Sequence, residues 1–288
     1  FTMLWKATDN WTLSAGGSYG MYPTNWRSLM TAYLMSNYRT LNRYKVNLSE
    51  NKSATIHGQI HYKNIPYQFF AYLSGAVSRS WTDILYSTTI DQNAHTLLQA
   101  EYAPNHSNNY SITISTRKEI AWHDTSIGAT AEYSTNTSKI LRQSVITNYQ
   151  FNSFFITANL AFNLIKYIRL TDNYKWTISQ SKAGNYINTI RNISNETSLD
   201  VTFLPNRLLL NTALQYTHNS GFTDRKDYTF MTLSITFKPS KKVQLVLNFD
   251  NILNTDTFVY RSNSNLTEGY TLYQLRPRCV MLTTHFAL

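Results

Sequence analysis

Small or apolar side chains alternate with polar ones along most of this chain, in runs of roughly 10 residues. In the run 54–62, small or apolar residues such as Ile56 and Ile60 take every second position, and His57 and His61 are among those between them. Successive side chains of a β-strand point to opposite faces, so this period predicts strands with one apolar and one polar face. Similar apolar faces are predicted within 11–19, 67–73, 110–114, 127–133, 154–162, 208–216, 231–237 and 243–249.

The last stretch of the sequence, from Gln274 to Leu288, follows the same rule. Val280, Leu282, Thr284, Phe286 and Leu288 are predicted to share one face, while Cys279, Met281, Thr283, His285 and Ala287 share the other. We therefore predict a strand that ends on a large apolar side chain.

The connections between the predicted strands alternate in length. Short joints are expected at 8–10, 64–66, 119–124, 163–166, 205–206 and 239–242, and longer polar loops at 22–51, 80–108, 135–150, 180–191, 218–227 and 261–271. Outer-membrane β-barrels pair short periplasmic turns with long external loops in this way. Counting back from the last strand predicts about 13 antiparallel strands, with every short joint at the same end of the sheet.

Composition favours a membrane barrel over a soluble β-sandwich, which would also alternate. Only 15% of the 288 residues are charged, 14% are aromatic and 21 are tyrosine. Uncharged Ser, Thr, Asn and Gln dominate the polar faces, as expected for a wet lumen. One position conflicts with the pattern, because Asp172 follows Ile168 and Leu170 on the apolar face. We expect it to face lipid unless the strand bulges there or has already left the hydrocarbon.

Other classes of protein are disfavoured. No segment approaches the roughly 20 apolar residues of a spanning helix. The net charge of +10 could suit nucleic acid, but the Lys and Arg residues are scattered, so no nucleic-acid partner is expected. The single Cys279 excludes an internal disulfide. His57 and His61 stand roughly 13 Å apart on one strand, too far to share a metal ion. We predict no metal site, no cofactor and no enzymatic activity.

Short motifs resemble those of TonB-dependent outer-membrane receptors. The segment 250–258, Asp-Asn-Ile-Leu-Asn-Thr-Asp-Thr-Phe, resembles the Asn-Leu-Phe-Asn/Asp motif near the C-terminus of that family, with Ile252 and Leu253 in place of Leu and Phe. The stretches 37–41, 141–143 and 273–277 are also similar to the outer-membrane-protein branch of the family.

The resemblance implies a 22-stranded transmembrane β-barrel with an N-terminal plug, located in the bacterial outer membrane. It implies import of a metal chelate, oligosaccharide or peptide, powered through the TonB energy-transducing complex. Residues 1–288 are then expected to be the C-terminal portion of the barrel, without the plug and the first strands. A passive porin, or a barrel with an adhesion or assembly role, is the alternative. Phe286 and Leu288 are implied to be the membrane-assembly signal.

The predicted outer loops contain the candidate ligand-binding residues. Aromatic rings stack on sugars and apolar ligands, and arginine binds carboxylate or phosphate. The candidates are Trp26, Arg27, Tyr38, Arg39, Arg43, Trp81 and Tyr86. Tyr and Trp also belong in the interfacial girdles of any barrel, so both interpretations stay open. Outer-membrane lipid and lipopolysaccharide are expected partners, and a surface lipoprotein is a further one.

Overall fold

The computed structural model describes residues 1–23, 29, 31–44, 49–93, 95–204, 207–221, 226–240, 242–264 and 267–286, and the side chains of these except 260–264 and 267–269. The strands are β1 (Thr2–Lys6), β2 (Trp11–Pro23), β3 (Tyr33–Asn37), β4 (Thr40–Tyr44), β5 (Glu50–Asn64), β6 (Phe69–Ile90), β7 (Thr96–Ile120), β8 (Thr125–Arg142), β9 (Val145–Ile165), β10 (Ile168–Ala183), β11 (Tyr186–Leu204), β12 (Leu208–Asn219), β13 (Asp227–Ser240), β14 (Val243–Asp250), β15 (Thr257–Ser264), β16 (Thr267–Gln274) and β17 (Cys279–Phe286). A 3₁₀ turn spans Trp122–Asp124. No helix in the described ranges has the length and apolar character needed to cross a membrane.

One continuous antiparallel path runs through the main sheet in the order β1-β2-β5-β6-β7-β8-β9-β10-β11-β12-β13-β14-β17. The path contains 13 strands among the described residues, which confirms the predicted number. The strands β3 and β4 extend the sheet to 15 strands, and β15 pairs with β16 in a separate hairpin. Up-and-down pairing of neighbours is the connectivity of a barrel wall.

The register places the predicted apolar positions side by side. Ile60 pairs with Leu13 and Leu73, and Leu73 pairs with Ile114. Paired residues of adjacent strands project from the same face, so these side chains form a continuous apolar face. That face is uncovered, since Leu73 is 37% exposed and Ile114 49% exposed. A sandwich would have covered it with a second sheet.

The opposite face is polar, and hydrogen bonds across the strands connect its side chains. The hydroxyls of Ser115 and Thr130 lie 2.8 Å apart, and Ser234 donates to Asn248 over 2.8 Å. His57 and His61 lie on this polar face, where His61 packs 4.6 Å from the ring of Tyr72. Satisfied polar side chains facing away from the apolar surface are what a water-filled lumen requires.

Asp172 lies on the apolar face, as its spacing predicted. It pairs with Leu160 and Thr197, and the one register shift between β9 and β10 falls at Ile168, so no bulge turns Asp172 inward. Thr197 donates to its carboxylate over 2.6 Å, and Asn195 over 3.0 Å. These two donors compensate part of the cost of placing a carboxylate on an apolar surface.

Most of the predicted long loops are wrong, because the strands continue through them. The predicted loop 80–108 is a hairpin whose strands reach Ile90 and restart at Thr96, and the predicted loop 135–150 shortens to a two-residue turn at Gln143 and Ser144. Both turn residues have positive φ, 48° and 63°, as tight hairpin turns demand. These segments lose the apolar alternation but keep the ladder. The joints predicted near 8–10, 64–66, 119–124 and 163–166 are confirmed as short turns.

The closing strand β17 has the predicted register. Val280, Leu282 and Phe286 pair with Phe249, Leu247 and Val243, so their side chains continue the apolar face of β14. Phe286 is 72% exposed there. Leu288 lies outside the described residues, and the assembly role of both residues stays a prediction.

The motif that follows β14 forms a compact hydrogen-bonded turn, which we call the Asn251 turn. Asn251 and Asn254 have positive φ, 52° and 56°. The side-chain amide of Asn251 donates to the carbonyls of Thr255 and Arg276 over 2.8 and 2.9 Å, and its oxygen accepts the backbone N–H of Thr255 over 2.9 Å. Thr255 in turn donates to the carbonyl of Thr229 over 2.9 Å. Asn251 therefore joins the ends of the β15–β16 segment to the wall, which gives the motif a structural role.

Candidate ligand-binding surface

A bulge bends the β6–β7 hairpin away from the line of the wall. Thr82 pairs with Asn105 and Ile84 pairs with Tyr102, so a single residue, Asp83, stands opposite Ala103 and Pro104. The side-chain amide of Asn105 donates to the carbonyls of Thr82, Ile84 and Ala103 over 3.3, 3.1 and 2.8 Å. Pro104 brings no N–H that would need a partner. Asn105 thus stabilises the bend that the bulge introduces.

Beyond this bend, segments from three hairpins form an extension of the main sheet, which we call the cap sheet. It consists of β3, β4, the ends of β6 and β7 at 84–90 and 96–102, and residues 141–142 of β8. Strand β4 pairs with β7 in parallel, and β6 pairs with β8 in parallel. The N–H of Thr96 donates to the carbonyl of Arg39 over 2.7 Å, and the N–H of Gln143 to that of Thr88 over 3.2 Å.

The buried apolar side chains of the described residues concentrate beside or within the cap sheet. Ile84, Leu85, Ala100 and Leu141 are each no more than 6% exposed. Burial of this kind is absent from the middle of the wall, where both faces are uncovered. The cap sheet is therefore a packed unit that fixes the positions of the side chains on its surface.

Aromatic and cationic side chains meet on the cap sheet. The rings of Tyr44 and Tyr86 form an edge-to-face pair with centroids 6.1 Å apart. The guanidinium of Arg43 lies 5.0 Å from the ring of Tyr33 and donates to its hydroxyl over 3.1 Å. The Nε of Arg43 and the Oδ1 of Asn42 are buried without a hydrogen-bond partner among the described residues.

A cleft of about 900 Å³ adjoins the bend. Tyr22, Tyr86, Asn105 and Ser107 are among its lining residues. A cleft of this volume, lined by aromatic rings and a few polar groups, fits a drug-sized molecule rather than a single ion.

The structure brings together some of the predicted binding residues. Tyr38, Arg39 and Arg43 share the β3–β4 hairpin, with the Arg39 guanidinium 5.2 Å from the ring of Tyr38. Tyr86 also belongs to the cap sheet, but it lies on the face opposite to Arg43, because it pairs with Ala100 and Arg43 pairs with Gln99. Trp81 lies before the bend, on the apolar side of the wall, with Arg79 5.4 Å from its ring. That position suits an interfacial girdle. Trp26 and Arg27 lie outside the described residues.

Sequence reasoning missed Tyr44 and Asn105. Tyr44 was overlooked within a supposed loop, and its contact with Tyr86 depends on the parallel pairing of β4 with β7, in which Tyr44 lies beside Ala100, 56 residues further along the chain. Pro104 directly precedes Asn105, and a proline within a strand indicates that the regular pairing is interrupted there. It was the one local cue to the bend.

A turn at the tip of the β6–β7 hairpin holds an ionised carboxyl group. The backbone N–H of His95 donates to Asp91 over 2.8 Å, and that hydrogen bond, with further ones from the His95 ring and Asn93, lowers the pKa of the Asp91 carboxyl group. Within the described ranges, no group of three or more His, Cys, Asp or Glu residues is placed to bind a metal ion.

Comparisons with known proteins find similarity at the level of structure. No family model matches the sequence, and no curated protein matches it. The ferric enterobactin receptor of Pseudomonas aeruginosa matches with a TM-score of 0.58 and 13% identity, over 92% of this chain and 41% of the receptor. The siderophore receptor PirA of Acinetobacter baumannii matches with 0.53 and 14%, over 98% and 46%. The ferric yersiniabactin uptake receptor FyuA of Yersinia pestis matches with 0.52 and 8%, over 100% and 49%.

These similarities confirm the predicted fold, that of a transmembrane β-barrel from the bacterial outer membrane, and agree with the predicted location. All three of these proteins are receptors for iron chelates or siderophores. This chain spans less than half of each of them, and its assignment to the C-terminal portion of a barrel stays a prediction. The chain is therefore similar in fold to the barrel wall of TonB-dependent siderophore receptors, as its motifs predicted.

Proposed function

We propose that this chain is part of the wall of an outer-membrane receptor that imports a nutrient ligand with energy supplied through TonB. The observation that supports this most is the cap sheet, a packed frame that presents Tyr86 to a cleft of about 900 Å³ whose lining also includes Tyr22 and Lys139. A passive pore has no need of a rigid binding surface above its lumen.

A metal chelate is the ligand class that we propose first. Anionic chelates with aromatic rings match this cleft, because the rings of Tyr22 and Tyr86 can stack on aromatic groups and the ammonium of Lys139 attracts negative oxygens. Three structurally similar proteins are siderophore receptors. Oligosaccharides and peptides stay the second and third classes, since tyrosine-lined clefts also bind them. A surface lipoprotein partner remains a proposal.

Uptake measurements test the proposal with the natural full-length protein, in cells that lack their other siderophore receptors. The probes are ⁵⁵Fe-loaded chelates of the catecholate, hydroxamate and carboxylate types. We expect accumulation of one type, and we expect a protonophore or loss of TonB to abolish it. Size-dependent entry of sugars into proteoliposomes, with no dependence on TonB in cells, would instead establish the porin alternative.

The binding surface is tested separately with Lys139→Ala and Tyr86→Ala. Each is expected to weaken binding of the transported chelate about 5- to 150-fold, because a charge-assisted hydrogen bond or an aromatic contact contributes about 1–3 kcal/mol. Arg79→Ala is the matched control, since Arg79 lies before the bend and stacks on Trp81. Equal loss in all three variants would argue against the cap sheet as the binding site.

A further inference from the structure

A polar patch interrupts the lipid-facing side of the wall on strands β10 and β11. Asp172 pairs with Thr197, and the next pair on the same face, two positions farther from the short turn, is Tyr174 with Asn195. We call these four residues the Asp172 patch. Apolar pairs flank it at both ends, Leu170 with Leu199 and Trp176 with Ile193. Because β10 also pairs with β9 and β11 with β12, the patch lies inside the sheet rather than at an edge.

The patch lies near the middle of the membrane. Asp172 is four residues from Ile168, where β10 begins at the short-turn end, so it lies about 14 Å along the strand and about 10 Å in height from that end. Trp176, at about 19 Å in height by the same measure, is still inside an apolar band that is about 25 Å tall. Apolar side chains therefore separate the patch from the headgroups on both sides, and the short Asp172 side chain cannot reach water past them.

The bonding within the patch is incomplete. Thr197 and Asn195 donate to the same oxygen of Asp172, Oδ1, over 2.6 and 3.0 Å. Among the residues that the structure describes, none donates to Oδ2, and Asn195 uses only one of the two hydrogens of its amide. The hydroxyl of Tyr174 likewise has no partner in the described ranges. Hydrocarbon supplies no donors, so a carboxylate at this depth indicates a contact with another protein surface.

The groups left over in the patch complement one another. Asp172 offers an acceptor, and Asn195 and Tyr174 offer donors. A twofold axis normal to the membrane, placed between β10 and β11, sets β10 of one copy against β11 of the other at the same height. A second copy of this chain therefore brings the missing donors to the carboxylate.

We propose that the Asp172 patch is the centre of a homodimer interface in the membrane. The Oδ2 of Asp172 in each copy accepts a hydrogen bond from Asn195 of the partner subunit, so the same bond forms twice. The apolar pairs at both ends of the patch pack around these bonds and exclude other contacts, as the apolar ring around a polar hot spot does. Polar side chains that bond across an interface are a general means of holding proteins together in a bilayer.

Association of the natural full-length protein in lipid vesicles tests this interface. Single-molecule photobleaching over a range of protein-to-lipid ratios should show dimers whose fraction rises with protein density. Asp172→Leu is expected to raise the dissociation constant of the dimer about 100-fold, the effect of losing two hydrogen bonds to charged groups. Thr116→Leu is the matched control, because Thr116 lies on the same apolar face between Ala71 and Ala129, three strands away. It is expected to dimerise as the unmodified protein does.

Two further measurements separate a contact from an effect on folding. Asp172→Leu should form a barrel that resists unfolding by SDS as the unmodified protein does, because the change removes a charge from the lipid-facing side. In a cysteine-free background, Tyr174→Cys should cross-link to its counterpart with a short thiol-reactive reagent. Tyr133→Cys, an exposed position on the same face of β8, should not.

Three outcomes would each overturn the proposal. They are a protein that stays monomeric at every density, a dimer whose dissociation constant Asp172→Leu leaves unchanged, and a complex with a different protein that Asp172→Leu abolishes. Should Asp172→Leu fail to fold, the absence of the cross-link through position 174 would overturn the proposal by itself.

Discussion

Because of the orientation of strand β5, a positive charge should cost different amounts of stability at two neighbouring positions. Ile60 pairs with Leu13 and Leu73 on the apolar face, whereas the next residue, His61, contacts Tyr72 on the polar face. Substituting arginine at each position in turn therefore asks which face meets lipid. The backbone, the added side chain and the distance from the membrane surface are almost the same in both variants.

The expected magnitude follows from the position of Ile60 along the strand. Four residues separate it from Asn64, where β5 ends at the short-turn end, so it lies about 14 Å along the strand and about 10 Å in height from that end. The apolar band is about 25 Å tall, which places Ile60 near its middle. Ile60→Arg should lower the free energy of unfolding by about 2–4 kcal/mol.

His61→Arg should change the free energy of unfolding by no more than about 0.5 kcal/mol, because the lumen is wet and the guanidinium can stack on Tyr72 as the imidazole does. Urea titrations of the natural full-length protein folded into lipid vesicles measure both variants. If the two substitutions cost the same, or His61→Arg costs more, β5 does not present Ile60 to lipid, and the assignment of the two faces is wrong.

Three further predictions concern the closing strand, the Asn251 turn and the turn at Asp91 in the cap sheet. Phe286→Asp should prevent membrane assembly, whereas Thr283→Asn on the polar face should give normal surface levels by immunoblot of outer-membrane fractions; equal levels would refute the assembly role. Asn251→Ala should lower the free energy of unfolding by about 3 kcal/mol through three lost hydrogen bonds and an unfavourable positive φ, while Asn251→Gly should cost about 1 kcal/mol less in the same urea titration. Because its pKa is lowered in the folded protein, the Asp91 carboxylate should stabilise its turn at every pH above its ordinary value of 3.8 and release it as the pH falls through the lower folded value. Hydrogen exchange at the His95 amide should therefore accelerate only below about pH 3.8, and acceleration between pH 7 and pH 5 would contradict this.

The wall of the barrel was predictable because lipid imposes a strict period on every strand that touches it. Ile60, Leu73 and Ile114 each occupy the position that alternation assigns. Even the exception was informative, since Asp172 lies where its spacing placed it and two neighbouring donors accompany it.

The upper hairpins were not predictable in the same way. Above the membrane, both faces of a strand meet water, so Thr, Ser, Asn and Tyr occupy all positions and the period of two disappears although the ladder continues. The candidate site was harder still. The contact of Tyr44 with Tyr86 depends on parallel pairing between distant segments, and no local pattern encodes a pairing of that kind.

The parallel pairs of the cap sheet also affect how this surface can diversify. Backbone N–H and C=O groups, including those of Thr96, Arg39, Gln143 and Thr88, hold its hairpins together, and such bonds do not depend on side-chain identity. Exposed residues such as Tyr86 can therefore be exchanged during evolution while the frame that carries them keeps its shape. The chemistry of the surface can therefore change one residue at a time, without any change in the hairpins beneath it.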